Sequence, residues 1–175
     1  MSWNKASAGR VAYVSVAAGM LAALVEMGFA LPIQYRLGAS PIVVFQSIAS
    51  GALGRAAFSQ GGSAVLLGVG VHLLISLVSA ALFTVAALRW DLLRRRPVAN
   101  GVLYGVVVYV MMTFVVIPLS AIGFRWPKSL PLLLTSLSVH MFAFGVPIAV
   151  VCARLLKGPA RIASPGAGLR HEDFR

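Results

Sequence analysis

Acidic residues are nearly missing from this sequence. Its 175 residues include 4 Asp and Glu against 15 Lys and Arg, and only 11% are charged, where an average soluble domain has about 25%. The single cysteine, Cys152, excludes an internal disulfide and a cysteine-only metal cluster. So few charged side chains cannot cover a soluble core with a polar surface, which excludes most soluble enzyme folds.

The sequence is instead rich in long apolar stretches. Hydrophobic residues make up 59% of the chain, and the mean hydropathy is +0.91. Four stretches, residues 11–31, 64–88, 98–118 and 130–153, reach the roughly 20 residues that a spanning helix needs. The first is long for a signal peptide and contains Glu26, so we interpret it as a retained span. The prediction is an all-α integral membrane protein with four transmembrane helices in one domain, residues 1–157, and no enzymatic activity.

Two segments outside these spans have a different composition. Residues 42–58 are apolar but are interrupted by Gln46, Gly51, Gly54 and Arg55, which favours a short helix that lies in the outer interface or re-enters the bundle. Residues 158–175 contain prolines and glycines and little to bury, so we expect a flexible cytoplasmic tail.

The distribution of positive charge predicts the orientation. Eleven of the fifteen lysines and arginines lie in the N-terminal segment, the connection between the second and third spans, and the tail. The positive-inside rule therefore places both termini in the cytoplasm of a bacterial cell, with the protein in its inner membrane. Arg94, Arg95 and Arg96 belong to this count, and they could also contact anionic lipid headgroups.

The two halves of the chain share a spacing of glycine, proline and histidine. This pattern predicts two helical hairpins related by duplication, both running the same way through the membrane, as in parallel transporter repeats. The matched positions are Gly19, Pro32 and Pro41 with Gly105, Pro118 and Pro127, and His72 with His140.

Three ionisable residues inside the spans are the candidates for a functional site. Glu26, His72 and His140 all fall in the predicted outer half, and such groups normally face the bundle interior because their exposure to lipid is costly. We expect the two histidines to converge on one central polar site. For Glu26 an alternative is an interfacial carboxylate bonded to Tyr35 or Arg36, or to Gln46. Possible accessory residues are Met111, Met112, Met141 and Gln46.

Four hypotheses for this site remain open. The histidines could be interhelical hydrogen-bonding groups without further function. With Glu26 they could bind or pass a proton or small solute. They could be the axial ligands of a b-type haem in an electron-transfer or accessory subunit, with Gly68, Gly70 and Gly145 leaving space beside them. In the fourth hypothesis, the histidines and Glu26 bind a divalent metal, or Cu(I) with the methionines as additional ligands.

Three short motifs of the sequence are His72-Leu-Leu-Ile-Ser76, Asn100-Gly-Val-Leu-Tyr-Gly105 and Val115-Val-Ile-Pro-Leu-Ser120. With these motifs and His140, the chain resembles the YagU-like family of bacterial inner-membrane proteins. The similarity covers roughly residues 64–156 and includes a histidine at each of the positions of His72 and His140. It implies the four-span layout and the location, but no reaction or ligand, because that family is functionally uncharacterised.

The expected partners are the lipid bilayer and either a second copy or a larger membrane complex, and no nucleic acid.

Overall fold

The structure is a bundle of helices. It is a computed structural model that describes residues 5–123 and 129–156, and in these two ranges every regular element is helical. The predicted tail, Pro127 and the connection around it lie outside the described residues. The α-helices are α1 (Lys5–Arg36), α2 (Pro41–Leu53), α3 (Gly61–Arg89), α4 (Leu92–Arg95), α5 (Pro97–Met111), α6 (Ile117–Leu119), α7 (Leu130–Ser138) and α8 (Val146–Leu156). A 3₁₀-helix (Gly54–Ser59) follows α2, and π-helical segments join α5 to α6 (Met112–Val116) and α7 to α8 (Val139–Gly145).

Five helical segments of the described chain are long and apolar enough to cross a membrane by length and composition, one more than the four predicted spans. Four of them, Ala8–Arg36, Gly61–Arg89, Pro97–Leu119 and Leu130–Leu156, contain the predicted spans. The fifth, Pro41–Ser59, consists of α2 and the 3₁₀-helix, at the place where the sequence predicted a short interfacial or re-entrant helix. The prediction of an all-helical fold is confirmed for the described residues, and the length and composition of these helices are compatible with a membrane protein.

Two serines begin helices at the start of apolar segments. Ser40 caps α2 by accepting a hydrogen bond from the Val43 amide at 3.4 Å, and Ser129 caps α7 in the same way from Leu132. A proline in the first turn of each helix costs no hydrogen bond, since the first amides of a helix have no partner within it.

Both π-helical segments end two residues before a proline. Pro118 follows the segment Met112–Val116, and Pro147 follows the segment Val139–Gly145. Proline has no amide hydrogen to give to the carbonyl four residues earlier, so the hydrogen-bonding register can shift there. The second segment contains His140, and π-helical turns are frequent at functional sites.

The helices pack in two antiparallel pairs. In the first, Gly19 of α1 meets the backbone of Ser76 and Leu77 on α3. In the second, Gly105 of α5 meets His140 and Met141. Small residues at such crossings allow the close approach on which helix association in membranes depends. The fully buried residues are accordingly mostly alanines, including Ala18, Ala22, Ala80, Ala87 and Ala149.

Arginines stabilise one end of the bundle, which we call the arginine end. The guanidinium of Arg10 donates to the carbonyl of Leu155 at 3.0 Å, and that of Arg94 donates to the carbonyl of Leu156 at 3.4 Å. Positive charge beside the last carbonyls of α8 interacts favourably with the helix dipole. The first part of α1, the short helix α4 and the last turn of α8 therefore meet at the arginine end.

The close crossing at Gly105 gives a stability prediction. A Cβ at Gly105 would overlap the backbone of His140 and Met141, whereas a Cβ at Gly70, also inside a helix, would meet nothing within 4 Å. We expect Gly105→Ala to destabilise the bundle by about 1–3 kcal/mol, a typical cost of overpacking. The matched control Gly70→Ala gains the same helix propensity and should not be destabilised. Thermal unfolding in detergent measures both, and equal midpoints would contradict the crossing geometry.

Candidate functional site

Glu26 lies between the two intramembrane histidines. Its Oε2 is 4.0 Å from His72 Nε2, and its Oε1 is 3.5 Å from His140 Nε2. The residue is only 7% exposed. The structure thus brings together the three ionisable residues that the sequence singled out, each from a different helical segment.

The three residues share one depth in the bundle. Glu26 is ten residues from the end of α1, His72 eleven from the start of α3, and His140 ten from the start of α7, which corresponds to roughly 15 Å of helix in each case. Glu26 lies farther from the end of its helix than the sequence predicted, because α1 continues through Pro32 to Arg36 instead of ending at residue 31. Tyr35 and Arg36, its proposed interfacial partners, are exposed near the end of α1.

Backbone carbonyls fix which nitrogen of each imidazole carries a proton. His72 Nε2 is 3.3 Å from the carbonyl of Ala23, and His140 Nδ1 is 2.9 Å from the carbonyl of Ser136. A carbonyl can only accept, so these two nitrogens are the donors. A neutral His140 therefore presents the unprotonated Nε2 to Glu26. An ionised carboxylate oxygen and an unprotonated Nε2 are both acceptors, so the contact becomes favourable when one proton lies between Glu26 Oε1 and His140 Nε2.

The three side chains line a cavity of about 370 Å³. Its walls come from α1, α2, α3, the α5–α6 segment and the segment Leu130–Leu156. Apart from Glu26 and the two histidines, it has five polar lining residues, which sequence analysis missed: Gln34, Ser47, Ser76, Thr135 and Ser136.

Helical spacing could have found part of this polar lining. Gln34 lies eight residues after Glu26, and Ser136 lies four residues before His140, so both pairs share a helix face. Ser47 is contributed by α2, whose packing against the bundle cannot be derived from spacing within one helix.

The predicted accessory residues separate into two groups. Met112 lines the cavity, as does Met27. Met111 lines a different groove, between α3 and α5, and is 47% exposed. Met141 and Gln46 are not lining residues of the cavity, although Gln46 is buried within α2 with 6% exposure.

The arrangement does not fit a haem with two axial histidines. The Glu26 carboxylate occupies the space between the two Nε2 atoms, and His72 Nε2 faces a backbone carbonyl. Gly68 and Gly145 do not leave space for a macrocycle, because Gly68 contacts the backbone of Phe45 and Gly145 that of Gly101 and Gly105.

The geometry also gives no support to a metal site. Among the residues that the structure describes, no group of three or more His, Cys, Asp or Glu is placed so that it could hold a metal ion. The site is better described as a carboxylate with two imidazoles in a polar cavity.

The three consecutive arginines differ in their surroundings. Arg94 is half-buried, pairs with Asp91 and reaches the carbonyl of Leu156. Arg95 and Arg96 are exposed. Only the last two are therefore free to face lipid headgroups or water.

Comparison with known proteins adds no assignment: no family model, no curated protein and no solved structure matches this chain. The resemblance to the YagU-like family stays a prediction.

Proposed function

We propose that this protein is a non-enzymatic membrane protein that binds or passes a proton or a small solute at Glu26, His72 and His140. The observation that carries the proposal is the position of the Glu26 carboxylate, within 4.0 Å of both imidazoles and beside a cavity of about 370 Å³. Ionisable groups buried in a membrane bundle are costly and mark ion or proton paths.

The hydrogen bonds define how a proton would be held. A proton that enters the cavity binds either to Glu26 Oε1 or to His140 Nε2. The 3.5 Å between these atoms exceeds an ordinary hydrogen bond, so transfer needs a bridging water or a small rotation of a side chain. The carbonyls of Ala23 and Ser136 hold the imidazoles in place during this exchange.

Four membrane crossings agree best with the helix packing. Antiparallel packing of α1 and α3 means that the connection between them starts and ends at the same end of the bundle. We therefore assign Pro41–Ser59 to a re-entrant or interfacial position, despite its length and apolar composition. The arginine end would face the cytoplasm of the bacterial inner membrane, and the cavity would lie in the outer half.

Side-chain contacts support the proposed duplication. His72 and His140 both approach Glu26, and Thr84 Oγ1 lies 3.2 Å from Cys152 Sγ. His72 and His140 are 68 positions apart in the sequence, and so are Thr84 and Cys152. The helix α3 and the segment Leu130–Leu156 therefore run side by side in register. Two equivalent hairpins would bring such positions together.

Flux measurements test the proposed function. We expect liposomes that contain the purified protein to dissipate an imposed pH gradient, or to take up a small solute, faster than protein-free liposomes, followed with a trapped pH-sensitive dye or by solute uptake. Flux equal to that of protein-free liposomes for protons and for a panel of small solutes would leave only a packing role for the site.

Labelling of introduced cysteines tests the topology. Ser59 and Ala99 are exposed and lie near opposite ends of the bundle, whereas the natural Cys152 is fully buried. A membrane-impermeant thiol reagent applied to intact cells should label Ser59→Cys and leave Ala99→Cys unlabelled until the membrane is opened. Labelling of Ala99→Cys alone from outside would show that the orientation is the reverse of the proposed one. Labelling of both variants from outside would contradict the crossing pattern.

A further inference from the structure

An apolar groove runs along one side of the bundle between α3 and α5. It has a volume of about 640 Å³, and its walls include Leu74, Val78 and Leu82 from α3 and Leu103 and Val107 from α5. At its floor the hydroxyl of Tyr104 donates to the carbonyl of Ser79 at 2.7 Å. The polar groups of the floor are thus paired, and what the groove offers a ligand is apolar surface.

The groove reaches the arginine end of the bundle. Leu93 and Asn100 line that end of it, and in the sequence they flank the exposed Arg95 and Arg96. Among the described residues, no acidic side chain pairs with either arginine. Positive charge and apolar surface therefore adjoin at this end of the groove.

The segment that carries these arginines is held in place by its neighbours. The amide nitrogen of the Asn100 side chain donates to the carbonyls of Leu92 at 2.9 Å and Leu93 at 3.1 Å. Arg94 bonds to Asp91 and to the end of α8. The backbone that carries the exposed Arg95 and Arg96 is consequently held near the lining residues Leu93 and Asn100.

We propose that the groove binds an acyl chain of an anionic phospholipid whose phosphate lies against Arg95 and Arg96. The lining residues of α3 extend from Leu74 to Ala86, a rise of roughly 18 Å, which is slightly more than half of the roughly 30 Å hydrocarbon core and long enough for an acyl chain of one leaflet. Juxtamembrane arginines attract anionic headgroups. The groove shares the wall residues Ile75, Val108 and Met112 with the polar cavity, but the lipid proposal does not depend on the function proposed for that cavity.

Charge also argues for a lipid and against a second copy of the chain in the groove. Two copies related by a two-fold axis along the membrane normal would place the same residues against each other. Arg95 and Arg96 of both copies would then meet at the same end of the interface. An anionic headgroup neutralises these charges, whereas a second copy adds to them.

Native mass spectrometry of the purified full-length chain in detergent tests the proposal. The added lipids are phosphatidylglycerol and phosphatidylcholine with identical acyl chains, and the measured quantity is the affinity for the first bound lipid. The double variant R95Q/R96Q should bind phosphatidylglycerol about 30-fold more weakly, because each arginine near a lipid headgroup contributes about fivefold. Its affinity for phosphatidylcholine should be unchanged. The matched control R36Q/R55Q removes two exposed arginines near the other end and should bind both lipids as the wild type does.

A second pair of variants tests the groove itself. Val78→Trp fills it and should weaken binding of both lipids. Val16→Trp is the control, since Val16 is 52% exposed against 50% for Val78, lies at the same level on α1, and is not a lining residue. Leu103→Trp fills the groove from the α5 wall and replaces Val78→Trp if that variant fails to fold.

Three results would overturn the proposal. Equal loss of phosphatidylglycerol binding in R95Q/R96Q and R36Q/R55Q would show a response to net charge alone. Wild-type lipid binding in both groove-filling variants would place the lipid elsewhere. A dimer in the wild type that becomes a monomer on filling the groove would identify its occupant as a second copy.

Discussion

Replacement of Glu26 by glutamine should abolish flux through the protein while the bundle stays folded. Glutamine has nearly the same shape as glutamic acid, but it cannot release or accept a proton in the physiological range. In the structure its side chain would still lie between His72 and His140. We expect proteoliposomes with Glu26→Gln to behave as protein-free liposomes in the pH-gradient assay, with a thermal unfolding midpoint close to that of the wild type.

The control for this variant is a buried polar residue away from the cavity. Thr84 is fully buried on α3, twelve residues or roughly 18 Å along the helix from His72, and it bonds to the Ala80 carbonyl and contacts Cys152. Thr84→Val conserves the shape and should retain full flux, even if it loses some stability. Undiminished flux in Glu26→Gln would mean that the carboxylate is not on the path.

The comparison of Glu26→Gln with Glu26→Ala separates chemistry from packing. Alanine leaves a gap beside the two imidazoles as well as removing the carboxylate, so it should also lower stability. If only the alanine variant lost flux, the role of Glu26 would be to fill space, and the proton hypothesis would fail. Loss in both variants, with stability reduced only in the alanine variant, is the outcome that the proposed function requires.

The spans and the polar residues of the site could be predicted from the sequence because both depend on the cost of polar groups in lipid. Glu26, His72 and His140 stand out, since a bundle interior is the only favourable place for them in an apolar helix. Their convergence was predicted from a common depth together with the tendency of such groups to face the bundle interior. The distances of 3.5 and 4.0 Å depend on helix packing, which the sequence does not give.

Some lining residues were missed because they depend on which helix face turns inward and on a local change in helical register. Met111 and Met112 are neighbours, yet Met112 lines the cavity and the exposed Met111 does not, because adjacent residues of a helix point about 100° apart. Met112 lies four residues after Val108, another lining residue, so regular periodicity assigns it. The lining residue Ile117 follows the π-helical segment, whose extra residue per turn rotates later side chains, so a period of 3.6 residues does not assign it.

The continuation of α1 past Pro32 was missed for a related reason. Proline usually ends a helix in water, where the freed carbonyl can bond to solvent. In a membrane bundle the alternatives to a helix are worse, so prolines are tolerated within spanning helices. In this longer α1, Glu26 is about as far from the end of its helix as the histidines are from the starts of α3 and α7.

Replacement of the two histidines distinguishes a packing role from a shared proton path. If they only stabilise the bundle, His72→Ala and His140→Ala should each cost about 0.6 kcal/mol, the average for a hydrogen bond between membrane helices, and the double variant should cost the sum. Flux, if there is any, would then be unaffected. Additive losses of stability alone would thus support the packing hypothesis.

A shared proton path predicts a different pattern. Either single replacement interrupts the contacts around Glu26, so each should reduce flux to nearly the level of the double variant, because groups that act as a unit are strongly non-additive. His140→Ala should have the larger effect of the two. Only the His140 imidazole presents an unprotonated nitrogen to Glu26, whereas Nε2 of His72 is engaged with the Ala23 carbonyl.

The measurement is flux for the wild type, both single variants and the double variant at equal reconstituted density. A double variant whose loss equals the product of two partial losses would mean that the histidines act independently, and the proton shared between Glu26 and His140 would no longer account for the site.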